Sequence, residues 1–249
     1  MRALTMLYGL TCYALSMAAL VAFILFANNF AGFIGMENLN IDTVNGTPAG
    51  SPLLVNLGLL LLFGLQHSVM ARPGFKAAMT KVIPPTWERS TYLLGTALVT
   101  GAIVWHWQPM AGALWHVQDE LLRTLINVVY FAGYGVVVAA TFMLNHFHLF
   151  GLQQTFRAVD PDSGTKEFKT PGLYAIVRHP IQTGVVISML ATPDMTTGRL
   201  VLAVGMLVYI AIGLYYEEKD LLAHFGDTYR DYKNRVPGVI PFLKGSSRE

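Results

Sequence analysis

LTMLYGLTCYALSMAALVAFILFA, residues Leu4–Ala27, runs for 24 residues without one charged side chain. Wound as an α-helix it is about 36 Å long, enough to cross the roughly 30 Å hydrocarbon core of a bilayer. A single Arg2 precedes it. A secretory signal has a shorter apolar core and a small-residue cleavage site, so the run reads as a retained first membrane helix.

Further apolar segments follow at Leu53–Met70, Tyr92–Trp105, Leu121–Leu144, Ile181–Ala191 and Leu200–Tyr216. Trp105 and Trp107 suit an interfacial belt at the end of the Tyr92 segment. Ile181–Ala191 is short and stops at Thr192-Pro193, so it reads as a tilted half of a hairpin with Leu200–Tyr216 rather than a full crossing. The expected fold is therefore all-α: a polytopic integral membrane helix bundle of five or six transmembrane segments with a C-terminal cytoplasmic helix.

Charge in the connections orders these segments. Loops 28–52 and 106–120 hold Glu37, Asp42, Asp119 and Glu120 but no Lys or Arg. Loop 71–89 holds Arg72, Lys76, Lys81 and Arg89, and loop 145–180 holds Arg157, Lys166, Lys169 and Arg178. The tail after 217 is basic again. Positive charge alternates with each crossing, which the positive-inside rule reads as six passes with both termini cytoplasmic. The location expected is within a membrane whose basic loops face the cytoplasm. The tail 217–249 reads as an amphipathic helix on that side.

The whole chain of 249 residues reads as one membrane domain: 1–145 forms the N-terminal helices and acceptor side, and 172–241 a hairpin with its tail. Only 13% of residues are charged, about half the share of a soluble domain. A net charge of +2, with no basic stripe, argues against nucleic acid as a partner. The single cysteine, Cys12, rules out an internal disulfide and a thiolate metal site, and the seven histidines show no ligand spacing, so no metal is expected. No βαβ alternation supports a soluble Rossmann fold. The bilayer is the partner the sequence demands, and no obligate protein partner is inferred.

Polar residues gather at the cytoplasmic ends of the last two segments. Tyr174, Arg178 and His179 precede Pro180, which suits a first helical turn with free N–H groups. Glu217 and Glu218 follow the sixth segment, then Leu221, Phe225-Gly226, Tyr229, Tyr232 and Arg235. Each alone reads as an interface anchor. Together, an acid pair beside an Arg-His pair at one membrane depth is costly unless it holds something.

Gly172–Tyr174, Arg178-His179-Pro180, Gly184, Glu217-Glu218, Leu221, Phe225-Gly226, Tyr229, Tyr232, Val236 and Pro241 resemble the isoprenylcysteine carboxyl methyltransferase superfamily over residues 172–241. Gln66–Pro73, Glu88–Tyr92, Trp107-Gln108-Pro109, Leu149–Gln154 and Ala191–Thr196 are similar to its NnrU-like, methanethiol S-methyltransferase branch. Gln182 departs from the Tyr common there, which places a cofactor or channel contact in question.

The resemblance implies a membrane methyltransferase using S-adenosylmethionine on a small volatile thiol, methanethiol, to give dimethyl sulfide. It implies cofactor-binding roles for Tyr174, Arg178, His179, Pro180, Gln182, Gly184, Glu217, Glu218, Leu221, Tyr229, Tyr232 and Arg235. Arg178 or His179 would hold the carboxylate, Glu217 or Glu218 the ribose or ammonium, and the tyrosines the adenine or sulfonium. A thiol acceptor needs a proton acceptor, for which His67 comes first and His146 and His148 next. Arg89 and Tyr92 are expected beside it, with Glu88. Other lipophilic thiols, carboxylates or amines remain open as acceptors, as does a non-catalytic accessory role.

Overall fold

A computed structural model describes residues 2–44, 50–157 and 168–243. Its helices are α1 (Arg2–Ala27), α2 (Pro52–Ala71), α3 (Pro73–Met79), α4 (Glu88–His106), α5 (Glu120–Leu144), α6 (His146–Leu149), α7 (Leu152–Arg157), α8 (Pro180–Leu190), α9 (Thr197–Phe225) and α10 (Asp227–Arg235). All six apolar segments lie on helices: α1, α2, α4, α5, α8 and α9. Four of these, α1, α2, α5 and α9, are long and apolar enough to cross a membrane. The chain is an integral membrane protein.

Local chemistry sets the helix ends. Pro52 opens α2 and Arg72-Pro73 closes it. The Asp119 carboxylate accepts from the Leu122 N–H at 2.8 Å and caps α5. Asn145, left-handed at φ 94°, ends that helix. Pro180 opens α8.

Two features differ from the sequence reading. First, the tail is not one helix: α9 continues unbroken past Tyr216 to Phe225, and only Asp227–Arg235 forms a separate helix. Gly226, at φ 55°, makes the turn between them. Residues 244–249 of the expected tail lie outside the described residues. Second, a short antiparallel ribbon pairs β1 (Ala113–His116) with β2 (Asp194–Thr196). Strands of four and three residues are too short to show alternation in a sequence.

The chain forms two compact units: Met1–His116, Phe147–Ser163 and Asp194–Met206 in the first, Val117–His146, Gly164–Pro193 and Leu207–Glu249 in the second. In the first unit α4 packs against α1 and α2, and α7 against α1. Tyr8 stacks on Trp87 at 4.2 Å between ring centres, and its hydroxyl bonds Thr91 at 2.8 Å. Fully buried Asn56 exchanges two 2.8 Å bonds with the backbone of Gln108, tying that loop to α2.

The second unit is built on α5 and α8, which approach through glycines. A Cβ on Gly184 would lie 2.4 Å from the Gly133 carbonyl oxygen, so only hydrogens fit there. Ser188 donates to the Tyr130 carbonyl at 2.8 Å in the same seam. At 11 residues α8 is about 16 Å long, half the hydrocarbon thickness. A tight turn follows it, with Thr192 N–H donating to the Leu190 carbonyl at 3.1 Å, and the Pro193 carbonyl accepts from Val117 N–H at 3.0 Å, just before α5 begins.

Candidate functional site

The first turn of α8 and the end of α9 form a polar cluster in the second unit. Glu218 is its hub. Its Oε1 accepts from Arg178 Nε at 2.8 Å and Nη2 at 2.5 Å, and lies 3.1 Å from His179 Nε2. Its Oε2 pairs with Lys233 Nζ of α10 at 2.7 Å. Arg178 Nη1 donates to the carbonyls of Val236 and Lys233. All three guanidinium nitrogens therefore serve protein acceptors. His179 is buried, and its Nδ1 lies 3.9 Å from Glu217, whose side chain is about half exposed.

Backbone bonds lock the tail over this turn. Arg178 N–H donates to the Pro237 carbonyl at 2.8 Å and His179 N–H to that of Gly238 at 3.1 Å. The Thr183 hydroxyl donates to the Val239 carbonyl at 2.6 Å. Among the described residues no backbone carbonyl takes the N–H of Ile181 or Gln182, so the start of α8 keeps two donors in reserve.

The tyrosines serve α10. Tyr229 and Tyr232 are buried and meet Phe168 at 5.8 and 5.1 Å between ring centres, with Phe225 completing the cluster. The Tyr232 hydroxyl donates to the Tyr174 carbonyl at 2.5 Å. Burial pushes the Tyr232 phenol up to about 12. Burial, and then Glu217, raises Tyr174; burial, and then Glu218, raises Tyr229. All three stay neutral phenols and none can act as a base near neutral pH.

The other expected cofactor residues scatter. Pro180 is buried, Gly184 is spent on the contact with Gly133, and Gln182 and Leu221 are partly exposed. Arg235 is exposed and bonds the Asp231 carbonyl within its own helix at 3.2 Å, apart from the Glu218 cluster. Sequence reading missed Lys233, Phe168 and the Val236–Val239 carbonyls. Lys233 follows Tyr229 by four residues, so its place on the same face of a helix was available. Carbonyl contacts leave no sequence signal.

Two histidines share a design. In the first unit His67 Nε2 lies 2.8 Å from the Tyr92 hydroxyl and its Nδ1 3.2 Å from Thr96 Oγ1. Thr96 donates its one proton to the Tyr92 carbonyl, and the Tyr92 hydroxyl lies within reach of both ring nitrogens of His67, 2.8 Å from Nε2 and 3.0 Å from Nδ1. Arg89 lies over the Tyr92 ring at 5.1 Å and donates to the Leu149 carbonyl. The structure thus joins His67, Tyr92 and Arg89, as expected, and buries Glu88 at the head of the same helix. In the second unit buried His146 stacks on Phe142 at 4.3 Å and meets Thr141 Oγ1 through Nδ1 at 2.9 Å. Thr141 donates to the Val138 carbonyl, so His146 carries its proton on Nδ1 and its lone pair on Nε2. Burial lowers its pKa and keeps it neutral near pH 7. Among the described residues no group of three or more His, Cys, Asp or Glu is placed to hold a metal.

A family profile described as NnrU protein matches residues 55–239. The chain is 40% identical to the methanethiol S-methyltransferase of Mycobacterium tuberculosis over 242 residues, 97% of each chain. It is 40% identical to methanethiol S-methyltransferase 2 of Bradyrhizobium diazoefficiens, over 92% of this chain and 91% of that one. A weaker likeness, 28% identity over 68% of each chain, links it to Nurim of Sus scrofa. No solved structure matches it significantly.

Proposed function

This chain belongs to the NnrU protein family, and we propose that it is a methanethiol S-methyltransferase of the bacterial inner membrane, with both termini cytoplasmic and S-adenosylmethionine as methyl donor. What carries the reading is 40% identity to methanethiol S-methyltransferases over nearly the full length of both chains.

The donor brings a carboxylate, an ammonium, a ribose diol and a sulfonium, and the second unit has groups of matching chemistry. The N–H groups of Ile181 and Gln182, at the positive end of α8, suit the carboxylate. Glu217, half-exposed beside His179, suits the ammonium or the ribose. Arg178, Glu218 and Tyr232 are spent on one another and on the tail, so they are positioning residues that shape the site, while the buried Tyr229 hydroxyl meets no hydrogen-bond partner among the described residues.

When bound, the donor supplies an electrophilic methyl group. The protein's share is to hold the acceptor sulfur in line within about 3–3.5 Å, exclude water and take the thiol proton. A thiol near pKa 8.5 is only a few per cent thiolate at neutral pH, so proton removal is needed. Sulfonium and thiolate cancel charge as they react, which a low dielectric favours. With the donor bound, His146 Nε2 would take the S–H proton while the thiol sulfur bonds the methyl carbon and the sulfonium C–S bond breaks, its electron pair staying on the donor sulfur, to give dimethyl sulfide, the spent donor as a neutral thioether and a protonated imidazole. We assign this to His146 rather than His67 because it shares a unit with the donor-site residues.

Membranes from expressing cells, given methanethiol and S-adenosylmethionine, should release dimethyl sulfide measurable by headspace gas chromatography. No release above vector-control membranes refutes the acceptor. Titration calorimetry of S-adenosylmethionine into purified protein tests the donor separately.

A further inference from the structure

Away from the methyl-transfer residues, the first unit holds a cavity of about 410 Å³ lined by Arg2, Thr5, Thr86, Thr155, Phe156 and Arg157. Three separate pieces of chain meet there: the start of α1, the turn before α4, and α7. All three fall on stretches whose charge marks the cytoplasmic side. The walls are fixed by internal bonds. Trp87 Nε1 donates to Thr5 Oγ1 at 3.1 Å, and the Thr155 hydroxyl is anchored on the Gly151 carbonyl at 3.2 Å. Because the Thr5 oxygen accepts from Trp87, its proton is left to donate.

Among the described residues the lining carries two guanidinium groups and three hydroxyls, with no carboxylate. Among the described residues neither Arg2 nor Arg157 has an ion-pair partner. Guanidinium forks match the paired oxygens of a phosphate in shape and charge, and threonine hydroxyls add donors. Phe156 gives one apolar wall. The volume exceeds that of a bare phosphate and leaves room for a glycerol-sized substituent. Leu4 and Leu7, beside the cavity on α1, are 59% and 61% exposed, as lipid-facing residues are. The cavity therefore lies at the end of an apolar span, at the depth of lipid headgroups. Half-buried Lys76 of α3 and exposed Lys81, between α2 and α4, add positive potential on that side.

We propose that this cavity is a binding site for a phosphate-bearing anion, monoester or diester, clamped between Arg2 and Arg157. The anion comes either from an anionic lipid or from solution. Full-length protein in uncharged maltoside micelles would be melted with added inorganic phosphate, with phosphatidylglycerol in mixed micelles, and with sodium chloride at matched ionic strength. The expected result is a rise in melting temperature with phosphate, phosphatidylglycerol or both, beyond that with chloride. Phosphatidylglycerol alone identifies the lipid source, and phosphate alone the soluble one. R2Q and R157Q should each weaken the apparent affinity about tenfold, and R2K/R157K should retain most of it. Both arginines are exposed, so these variants test binding without disturbing the core. No shift in either arm, or an equal shift in the R2Q/R157Q double variant, overturns the proposal.

Discussion

Glu218 is one carboxylate shared by Arg178, His179 and Lys233. Neutralising it leaves two permanent cations facing each other in a site only 11% exposed at Arg178. We expect Glu218→Gln to destabilise the protein by about 2–3 kcal/mol, short of the full cost of breaking a buried pair because water reaches part of the cluster. Lys233→Met, at a side chain 46% exposed, should cost under about 1 kcal/mol. Urea titration in detergent, followed by tryptophan fluorescence, compares the two, and equal losses would remove Glu218 as hub. His146 gives a test through pH. Its folded pKa lies below the ordinary 6.5, so it is neutral and able to accept a proton above that value and loses the ability as pH falls below it. The kcat profile for dimethyl sulfide formation should have an acid limb below pH 6.5 that His146→Gln abolishes along with most of the rate. His67→Gln should leave the limb in place. An unchanged limb in His146→Gln would move the proton elsewhere. At this scale the sequence revealed the Arg-His and Glu-Glu pairs, because charge at a helix end is conspicuous in an apolar chain. It placed the two pairs side by side at one depth but did not reveal that Glu218, rather than Glu217, takes both Arg178 and His179, since that depends on the rotation of α9 about its axis.

The helices were legible for a simple reason: hydrocarbon tolerates only a backbone that satisfies its own hydrogen bonds, so each apolar run must wind. The contacts between helices were less so. Gly133, Gly135 and Gly184 look alike in the sequence, yet the first and third touch across the α5–α8 seam while a Cβ on Gly135 meets nothing within 4 Å. We expect Gly184→Ala to force the helices apart and cost about 2–3 kcal/mol, as overpacking does. Gly135→Ala should be neutral or stabilising by up to about 1 kcal/mol through helix propensity. Thermal unfolding of the two variants in one detergent compares them, and a tolerated Gly184→Ala would mean that the seam is looser than its geometry. The tail shows another limit. Its charges announce an amphipathic stretch but not where α9 ends, because Tyr215 through Phe225 suits a helix whether it lies in the bilayer or beyond it.

Between β1 and β2 the chain makes only two apolar excursions, α5 and α8. The strands are hydrogen-bonded to each other, so the chain leaves and returns at one face of the membrane. If α5 crosses, then α8 and the residues that follow it must return the chain to the same face, although the helix alone is half the length of a full crossing. The crossings between the two strands are then even in number without appeal to charge, and the proposed direction, with both termini cytoplasmic, rests on the alternation of basic and acidic loops. The one cysteine makes the topology testable, since Cys12 is buried in α1. In a Cys12→Ala background, single cysteines at Met36, Val82 and Phe242, all exposed, sample the first loop, the second loop and the tail. Met36→Cys should react with a membrane-impermeant maleimide in cells with a permeabilised outer membrane. Val82→Cys and Phe242→Cys should react only once the inner membrane is opened. Labelling of Phe242→Cys with the inner membrane intact would place the tail outside, strand the Glu218 cluster away from cytoplasmic S-adenosylmethionine, and defeat the donor assignment together with the six-pass topology.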